Sequence, residues 1–155
     1  MLYIEENRVP EWWAVCQNDA CPMSNECLRR LACKEMLGNT TRWMSVLPSA
    51  LKDGECCYFQ KAEKVTMARG MKALFNNIRN PKVRHQLRVD LTYYFGSKGS
   101  FYRYKDGERW INPQLQQLIA NWLKGYGCNQ EPVFDEYTEG YDFTQKPFDK
   151  GDLDN

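Results

Sequence analysis

Histidine is almost missing from this chain, since His85 is the only one among 155 residues. A hydrolase with a catalytic triad would have to centre on His85, yet no serine or cysteine stands in the sequence context of a nucleophile elbow. Glycine-rich loops of the kind that hold phosphates or dinucleotides are also missing. Acidic residues cluster around Asp135 and Glu136, but their spacing among aromatic residues indicates docking rather than an acid and base pair. We therefore expect that the protein is not an enzyme.

Long apolar runs are missing as well. No segment approaches the roughly 18 consecutive apolar residues that a membrane-spanning helix requires. The first residues, MLYIEENRVPEWW, carry acidic groups where a secretory signal has basic ones, and no apolar run follows them. These absences predict a cytoplasmic protein without a membrane partner. A reducing cytosol disfavours a disulfide framework, and the odd number of cysteines, 7, fits one no better.

Cysteine is abundant in one stretch, because six of the seven cysteines lie between positions 16 and 57. Four thiolates form a closed tetrahedral site for zinc, and four can also hold an iron–sulfur cluster. The alternative is that the thiols are free and buried, since cysteine packs well as a small hydrophobic residue. We expect a metal, and zinc rather than an iron–sulfur cluster, because structural zinc sites of this type are common.

The six cysteines exceed the four ligands that such a site needs. Apolar spacing predicts a helix over residues 24–37. Cys33 follows Cys27 by six residues on this helix and would lie about 9 Å further along its axis, too far to share one ion easily. The adjacent residues Cys56 and Cys57, which follow a turn at residues 52–54, can seldom both point at one metal. Geometry thus disfavours Cys33 and one member of this pair.

Several strings along the chain are similar to a family of uncharacterised bacterial proteins. They are C-x4-C-P-x4-C-L-R, G-x-C-x-Y-F, R-x-x-L with F-G, Y-R-Y-K-x-G-E-R, and P-V-F-D-E-Y with Y-D. The cysteines that recur in the family match Cys16, Cys21, Cys27 and Cys56. The family has other residues at the positions of Cys33, Cys57 and Cys128. This resemblance implies that the four recurring cysteines are the metal ligands, and it implies no activity.

Charge is distributed unevenly, although the net charge of the chain is only +1. Residues 1–61 carry 7 basic and 8 acidic groups, residues 62–125 carry 12 and 4, and residues 126–155 carry 2 and 8. The resulting basic block at 62–125 indicates a polyanionic partner, and we expect DNA. The alternative is that the acidic C-terminal segment folds back on this block and neutralises it.

Two Asn-Pro pairs, at 80–81 and 112–113, are typical of helix starts, and the first of these helices should stop at Gly96. Between them the sequence favours a short helix through Tyr104, capped by one of two serines. This succession resembles the helix-turn-helix of repressor-like DNA-binding proteins. The expected DNA contacts are Lys98, Ser100, Arg103, Lys105 and Arg109. The alternative for residues 101–111 is a hairpin around Asp106-Gly107.

Two further helices are predicted, one over residues 66–79 and a short acidic one over 133–143 that docks by its aromatic side chains. The expected fold is mainly α. It begins with a Cys-rich metal-binding module at 1–61 and continues with a basic, helix-turn-helix-like domain at 62–130. An acidic aromatic segment at 131–155 then packs back, and its end frays.

These expectations combine into one functional prediction: a non-enzymatic, regulator-like nucleic-acid-binding protein with a structural four-cysteine zinc site. Two alternatives stay open. One is a protein-interaction adaptor whose metal is structural, and the other is an iron–sulfur redox sensor.

Overall fold

The computed structural model describes residues 9–144 of the chain. These residues divide into two compact units, one formed by residues 9–63 with 143–144 and the other by Lys64–Asp142. Both contain helices and short strands, so the fold is mixed α/β, whereas the sequence predicted a mainly α fold. Among the helices of residues 9–144, none has the length and apolar character to cross a membrane. The frayed end predicted from Gln145 onward lies outside the described residues.

The first unit is built from one helix and very short strands. In chain order its elements are β1 (Val15–Cys16), α1 (Leu28–Met36), β2 (Ser45–Val46), a 3-10 turn (Pro48–Ala50), β3 (Leu51–Lys52) and β4 (Glu55–Cys56). Strands β1 and β2 are parallel, and β3 and β4 form an antiparallel hairpin. The hairpin turns at Asp53 and Gly54, whose φ angles of 52° and 79° are those of a tight turn with two left-handed residues. The predicted turn at residues 52–54 is therefore confirmed.

Helix α1 is shorter than the predicted helix over 24–37. Residues 21–26 form hydrogen-bonded turns instead, with the Ser24 amide donating to the Cys21 carbonyl at 3.0 Å. Cys27 is the N-cap residue, and its side chain makes no capping bond. The helix start is held by the Leu28 amide, which donates to the Gln60 carbonyl at 2.7 Å. This long-range bond fixes the start of the helix and leaves no signal in local periodicity.

The second unit surrounds a three-stranded antiparallel sheet with the strand order β6-β5-β7. Its elements are β5 (Val65–Arg69), α2 (Lys72–Asn77), α3 (Pro81–Phe95), α4 (Lys98–Lys105), β6 (Trp110–Ile111), α5 (Pro113–Gly125) and β7 (Glu136–Gly140). One core joins the sheet to the helices, and its fully buried side chains include Met71, Leu74, Leu87, Leu91, Phe101, Ile111, Ile119 and Leu123.

Two helix predictions, over 66–79 and 133–143, are wrong where the chain forms two strands that pair with each other. Residues 65–69 form the central strand β5, and residues 136–140, expected to be an acidic helix, form β7, which pairs with β5 from Val65 opposite Gly140 to Arg69 opposite Glu136. Gly70 ends β5 with a φ of +78°, a conformation that L residues rarely adopt, and α2 begins after it. The apolar spacing of residues 66–79 suits a helix, but the paired positions lie 67 to 75 positions apart in the chain, so local spacing does not reveal the strand.

The capping signals of the second unit are confirmed. The side chain of Asn80 accepts a hydrogen bond from the Lys82 amide at 2.9 Å, and that of Asn112 accepts one from the Leu115 amide at 2.8 Å. Gly96 ends α3 with a φ of +83°. Ser97 caps α4 by accepting from the Ser100 amide at 3.1 Å. Residues 98–105 are therefore helical, and the alternative hairpin around Asp106-Gly107 is not formed.

Candidate metal centre and basic surface

A pocket in the first unit is lined by four cysteines together with side chains from α1 and the hairpin. The four cysteines are Cys16, Cys21, Cys27 and Cys56. The cavity has a volume of about 20 Å³ and is partly open to solvent. The structure thus brings together the four positions that the sequence indicated as metal ligands.

Each cysteine reaches the pocket from a different local structure. Cys16 ends strand β1, where it lies opposite Val46 of β2. Cys21 stands before Pro22 in the turn that precedes α1, and the buried Cys27 caps that helix. Because these elements are separated by loops of the first unit, an ion bound to all four sulfurs would cross-link them.

Cys56 lies at the end of the β3–β4 hairpin. The backbone N–H of Tyr58, two residues further on, donates to its sulfur and lowers the pKa of the thiol, but burial is the larger effect and raises it. Negative charge on Cys57, Cys27 and Cys16 raises it as well. Without a metal the thiol therefore keeps its proton, and a metal ion would have to displace that proton.

The sulfurs are not yet arranged as a coordination sphere. Within residues 9–144, no group of three or more His, Cys, Asp and Glu side chains is placed so that it could hold a metal ion. Four ligands at about 2.3 Å from a tetrahedral zinc ion lie about 3.8 Å from one another. Binding would therefore require the four cysteine side chains to turn further into the pocket that they already line.

The other three cysteines lie away from this pocket. Cys33 is buried on α1, and burial raises the pKa of its thiol although the positive charge of Arg30 opposes the effect. Cys57 is exposed, and Cys128 packs against the core of the second unit. None of the three lines the pocket, in agreement with the geometric argument from the sequence.

Arg29 is the most unusual residue at the pocket because its charged side chain is only 3% exposed. Its Nε donates to the Tyr58 carbonyl at 2.8 Å, and its Nη1 donates to the Ala14 carbonyl at 2.5 Å. The guanidinium carbon lies 4.4 Å from the centroid of the Trp13 ring. Among described residues, no carboxylate forms an ion pair with it. Burial lowers the pKa of Arg29, and negative charge on nearby thiolates, first that of Cys27, opposes the shift.

A second buried arginine also lines the pocket. Arg30 forms an ion pair with Asp19, whose side chain is largely exposed. This contact lowers the pKa of Asp19, chiefly through the hydrogen bond from the guanidinium. Its Nη1 atom is buried without a hydrogen-bond partner in the described part of the chain. Two buried cations therefore lie beside the four thiols that line the pocket.

Sequence reasoning missed both arginines. The only sign of them in the sequence is that they directly follow Leu28 in the string C-L-R-R. They therefore lie in the first turn of α1, just after the N-cap residue Cys27. An arginine at such a position is usually exposed, so its burial follows only from the packing of α1 against Trp13 and the loop that holds Tyr58.

The residues expected to contact DNA lie on and after α4. Lys98, Arg103 and Arg109 are exposed, whereas Ser100 and Lys105 are half-buried. Arg109 lies over the ring of Tyr104, 5.7 Å from its centroid. Contrary to expectation, Lys105 is not free on the surface, because its ammonium lies over the ring of Tyr102.

The whole stretch from 79 to 109 is rich in cations that no described carboxylate neutralises. The ion pairs among described residues join Arg30 to Asp19, Lys61 to Glu63, and Arg69 to Glu136. None of them involves the basic residues of this stretch, which are Arg79, Lys82, Arg84, Arg88, Lys98, Arg103, Lys105 and Arg109. We call these eight side chains the basic surface of the second unit.

The fold and the pocket define a two-unit α/β protein with a cysteine-lined pocket in one unit and, on the other, cations that form no ion pair with a described carboxylate. The chain belongs to a family of unknown function (DUF6078), which it matches over residues 2–143. Neither a curated protein nor a solved structure matches it. Membership in an uncharacterised family is thereby confirmed, while the helix-turn-helix resemblance stays a prediction.

Proposed function

We propose that this chain is a non-enzymatic nucleic-acid-binding protein whose first unit is held together by one zinc ion on Cys16, Cys21, Cys27 and Cys56. The observation that supports the metal is that one small pocket is lined by all four thiols and by a buried arginine that forms no ion pair with a described carboxylate. Four thiolates and a dication carry a net charge of −2. Arg29 supplies positive charge next to that centre without needing a carboxylate.

Burial of an unpaired charge costs several kcal/mol after relaxation, so a protein keeps one where an opposite charge repays the cost. Hydrogen bonds to two carbonyl oxygens and the contact with the face of Trp13 offset part of the free-energy cost of burying Arg29. In this proposal, the attraction to a negatively charged metal–thiolate centre offsets the rest. With neutral thiols, Arg29 would have no anionic partner among the described residues.

We favour a single zinc ion over an iron–sulfur cluster because structural sites of four thiolates commonly hold zinc. The smallest common cluster would bring two irons and two sulfides between the cysteine sulfurs.

Metal content tests this part of the proposal. Protein purified without oxygen should contain one zinc per chain and be colourless, and replacement by Co²⁺ should give the intense absorption of thiolate-to-cobalt charge transfer. A brown protein with iron and sulfide would support the redox-sensor alternative. A metal-free protein that zinc neither binds nor stabilises would refute the centre.

The nucleic-acid part of the proposal is supported by the unpaired basic surface. If the acidic segment merely neutralised the basic block, its carboxylates would meet the cations of α3 and α4. Strand β7 instead directs Glu136 to Arg69, and Glu139 accepts a hydrogen bond from Thr66 at 2.5 Å. Both partners lie on β5, so these two acidic side chains of the described segment do not neutralise the basic surface, which supports an external polyanion as its partner.

Titration with random duplex DNA across a salt series tests binding. Each phosphate neutralised by a cation contributes a slope of about −0.9 to the dependence of log K on log salt. We expect measurable binding at low salt and a slope equivalent to several phosphates. Absence of binding even at low salt would refute nucleic-acid binding and leave the adaptor as the remaining alternative.

A further inference from the structure

Two cations of the basic surface converge on one tyrosine. Arg88 of α3 donates from Nη2 to the hydroxyl oxygen of Tyr102 on α4, and its guanidinium carbon lies 5.6 Å from the centroid of the Tyr102 ring. The ammonium nitrogen of Lys105 lies 5.7 Å from the same centroid. We call Arg88, Tyr102 and Lys105 the Tyr102 cluster.

The two cations are held in place by further aromatic rings. The guanidinium carbon of Arg88 is 5.7 Å from the centroid of Phe101, and Lys105 is 6.0 Å from that of Phe75. Phe101 is fully buried in the core of the second unit. The charged groups are therefore preorganised by rigid rings, which reduces the entropy lost when they bind a ligand.

No carboxylate of residues 9–144 forms an ion pair with the cluster. Asp106 and Glu108 follow Lys105 closely in the sequence, but neither forms an ion pair with a described residue. Asp90, which follows Arg88 on α3, is occupied instead by the Tyr126 hydroxyl and the Gln86 amide. Arg88 and Lys105 have aromatic rings and a hydroxyl as partners, and an oxyanion would supply the opposite charge that these contacts do not.

The donors of the cluster suit a phosphate oxygen. Since Tyr102 accepts from Arg88, its own O–H is available to donate. The guanidinium offers further N–H groups in a planar fork, and Lys105 offers a compact ammonium. Lys98 lies one helical turn before Tyr102 on the same face of α4, so the positive charge continues along the helix.

We propose that the Tyr102 cluster binds one phosphodiester group of a nucleic acid, an inference that rests on the nucleic-acid binding proposed above. The cluster contacts the backbone and carries no sequence information, because its donors suit a phosphate oxygen and phosphate contacts do not read bases. Helix α4 thereby acts as a backbone-binding element, whereas a repressor-type recognition helix would read bases.

The test uses the zinc-loaded full-length chain and two labelled duplexes of unrelated sequence in a salt series. Arg88→Ala removes one phosphate contact, so the slope of log K against log salt should fall by about 1. At 0.1 M salt the affinity should fall about eightfold, and equally for both duplexes, since one phosphate contributes a factor of salt to the power of about −0.9. Arg88→Lys should keep the slope, and Tyr102→Phe should weaken binding less than Arg88→Ala.

Arg69→Ala is the matched control, because its guanidinium is already paired with Glu136 and should not contribute. If Arg88→Ala proves unstable, Lys105→Gln provides the same test on the other cation. A competing series with inorganic phosphate separates a site for free phosphate from one for the nucleic-acid backbone. Saturable binding of inorganic phosphate by the wild type but not by Arg88→Ala, together with an unchanged DNA slope in Arg88→Ala, would assign the cluster to free phosphate and overturn the inference.

Two other results are decisive. An unchanged slope in Arg88→Ala, with normal binding by the wild type, would refute the cluster and leave nucleic-acid binding intact. A loss confined to one duplex sequence would show that the cluster reads bases and would also overturn the inference. Failure of the wild type to bind either duplex would instead refute the proposed function itself.

Discussion

Replacement of Arg29 by methionine separates a charge role at the metal centre from a purely structural one. Methionine keeps much of the length and apolar stem of the side chain but removes the positive charge and both donors. In the metal-free protein, the carbonyls of Ala14 and Tyr58 lose their partners, while the cost of burying an unpaired charge disappears at the same time. These two effects oppose each other, so the stability of the metal-free protein should change only moderately.

In the zinc-loaded protein the same change also removes the attraction between Arg29 and a centre of charge −2. At a distance of about 8 Å and an effective dielectric constant of about 20, this attraction is about 4 kcal/mol. Solvent and local relaxation reduce it, and changes in residues around metal ligands typically lower affinity 10- to 100-fold. We therefore expect Arg29→Met to weaken zinc binding by about 1.4 to 2.7 kcal/mol.

Competition with a chelator of known affinity measures this loss, and thermal unfolding with and without zinc measures the two stabilities. Arg29→Lys keeps the charge but offers one ammonium for two carbonyls, so it should retain more of the zinc affinity than Arg29→Met. Arg42→Met is the control, because Arg42 is an exposed arginine of the same unit. Equal destabilisation of the metal-free and zinc-loaded forms by Arg29→Met would refute the charge role, and unchanged zinc affinity would do the same.

Three further predictions concern the metal and the second unit. Cys27→Ser should abolish stoichiometric zinc, whereas Cys33→Ala should keep it and lose only packing; elemental analysis that gives the opposite order would overturn the ligand assignment. Removal of zinc by a chelator should abolish hydrogen-exchange protection of α1 but not of α3, whose core lies in the other unit; equal protection of α1 with and without metal would contradict the fastening role. In a denaturant titration, Asp135→Ala should destabilise the second unit by about 1 to 2 kcal/mol. The reason is that this carboxylate caps α2 by accepting hydrogen bonds from the Lys72 and Ala73 amides at 3.1 and 2.6 Å. Asp135→Asn keeps an acceptor and should destabilise the unit less.

The parts of the fold that the sequence predicted correctly depend on local chemistry. The side chains of Asn80 and Asn112 cap the next helix within two or three residues, and the fixed φ of the following proline suits the first helical position. Gly96 ends α3 because it adopts a positive φ without steric cost. These capping and helix-ending interactions involve residues only a few positions apart, so they can be predicted from a single sequence.

The parts that the sequence missed depend on partners far along the chain. Strand β5 exists because Met67 and its neighbours pair with residues 136–140, and the start of α2 is capped by Asp135 from the same distant segment. The apolar periodicity within residues 66–79 gives no information about either of these distant partners. An apolar stripe at helical spacing therefore suited a helix across Gly70, where the chain in fact changes from strand to helix.

The cysteine pocket includes one feature that sequence reasoning addressed and one that it missed. The rise along α1 argued against Cys33 as a ligand, and Cys33 is not among the residues that line the pocket. The buried position of Arg29 was not predictable, because it requires the contacts to Trp13 and to the Tyr58 carbonyl, from two separate segments. Zinc itself stays a prediction that the charge balance of the pocket supports.

The two units differ in what can stabilise them. The second unit has a three-stranded sheet and a core that joins it to its helices, which is the minimum for an independently stable β structure. In the first unit each strand has only two residues and each sheet only two strands, an arrangement that is marginal in water. Its loops deliver four thiols to one pocket, so a bound ion would replace the missing strand pairing by covalent-like cross-links between β1, the start of α1 and the β3–β4 hairpin. Cysteines are therefore concentrated in the unit whose backbone contributes least to its own stability.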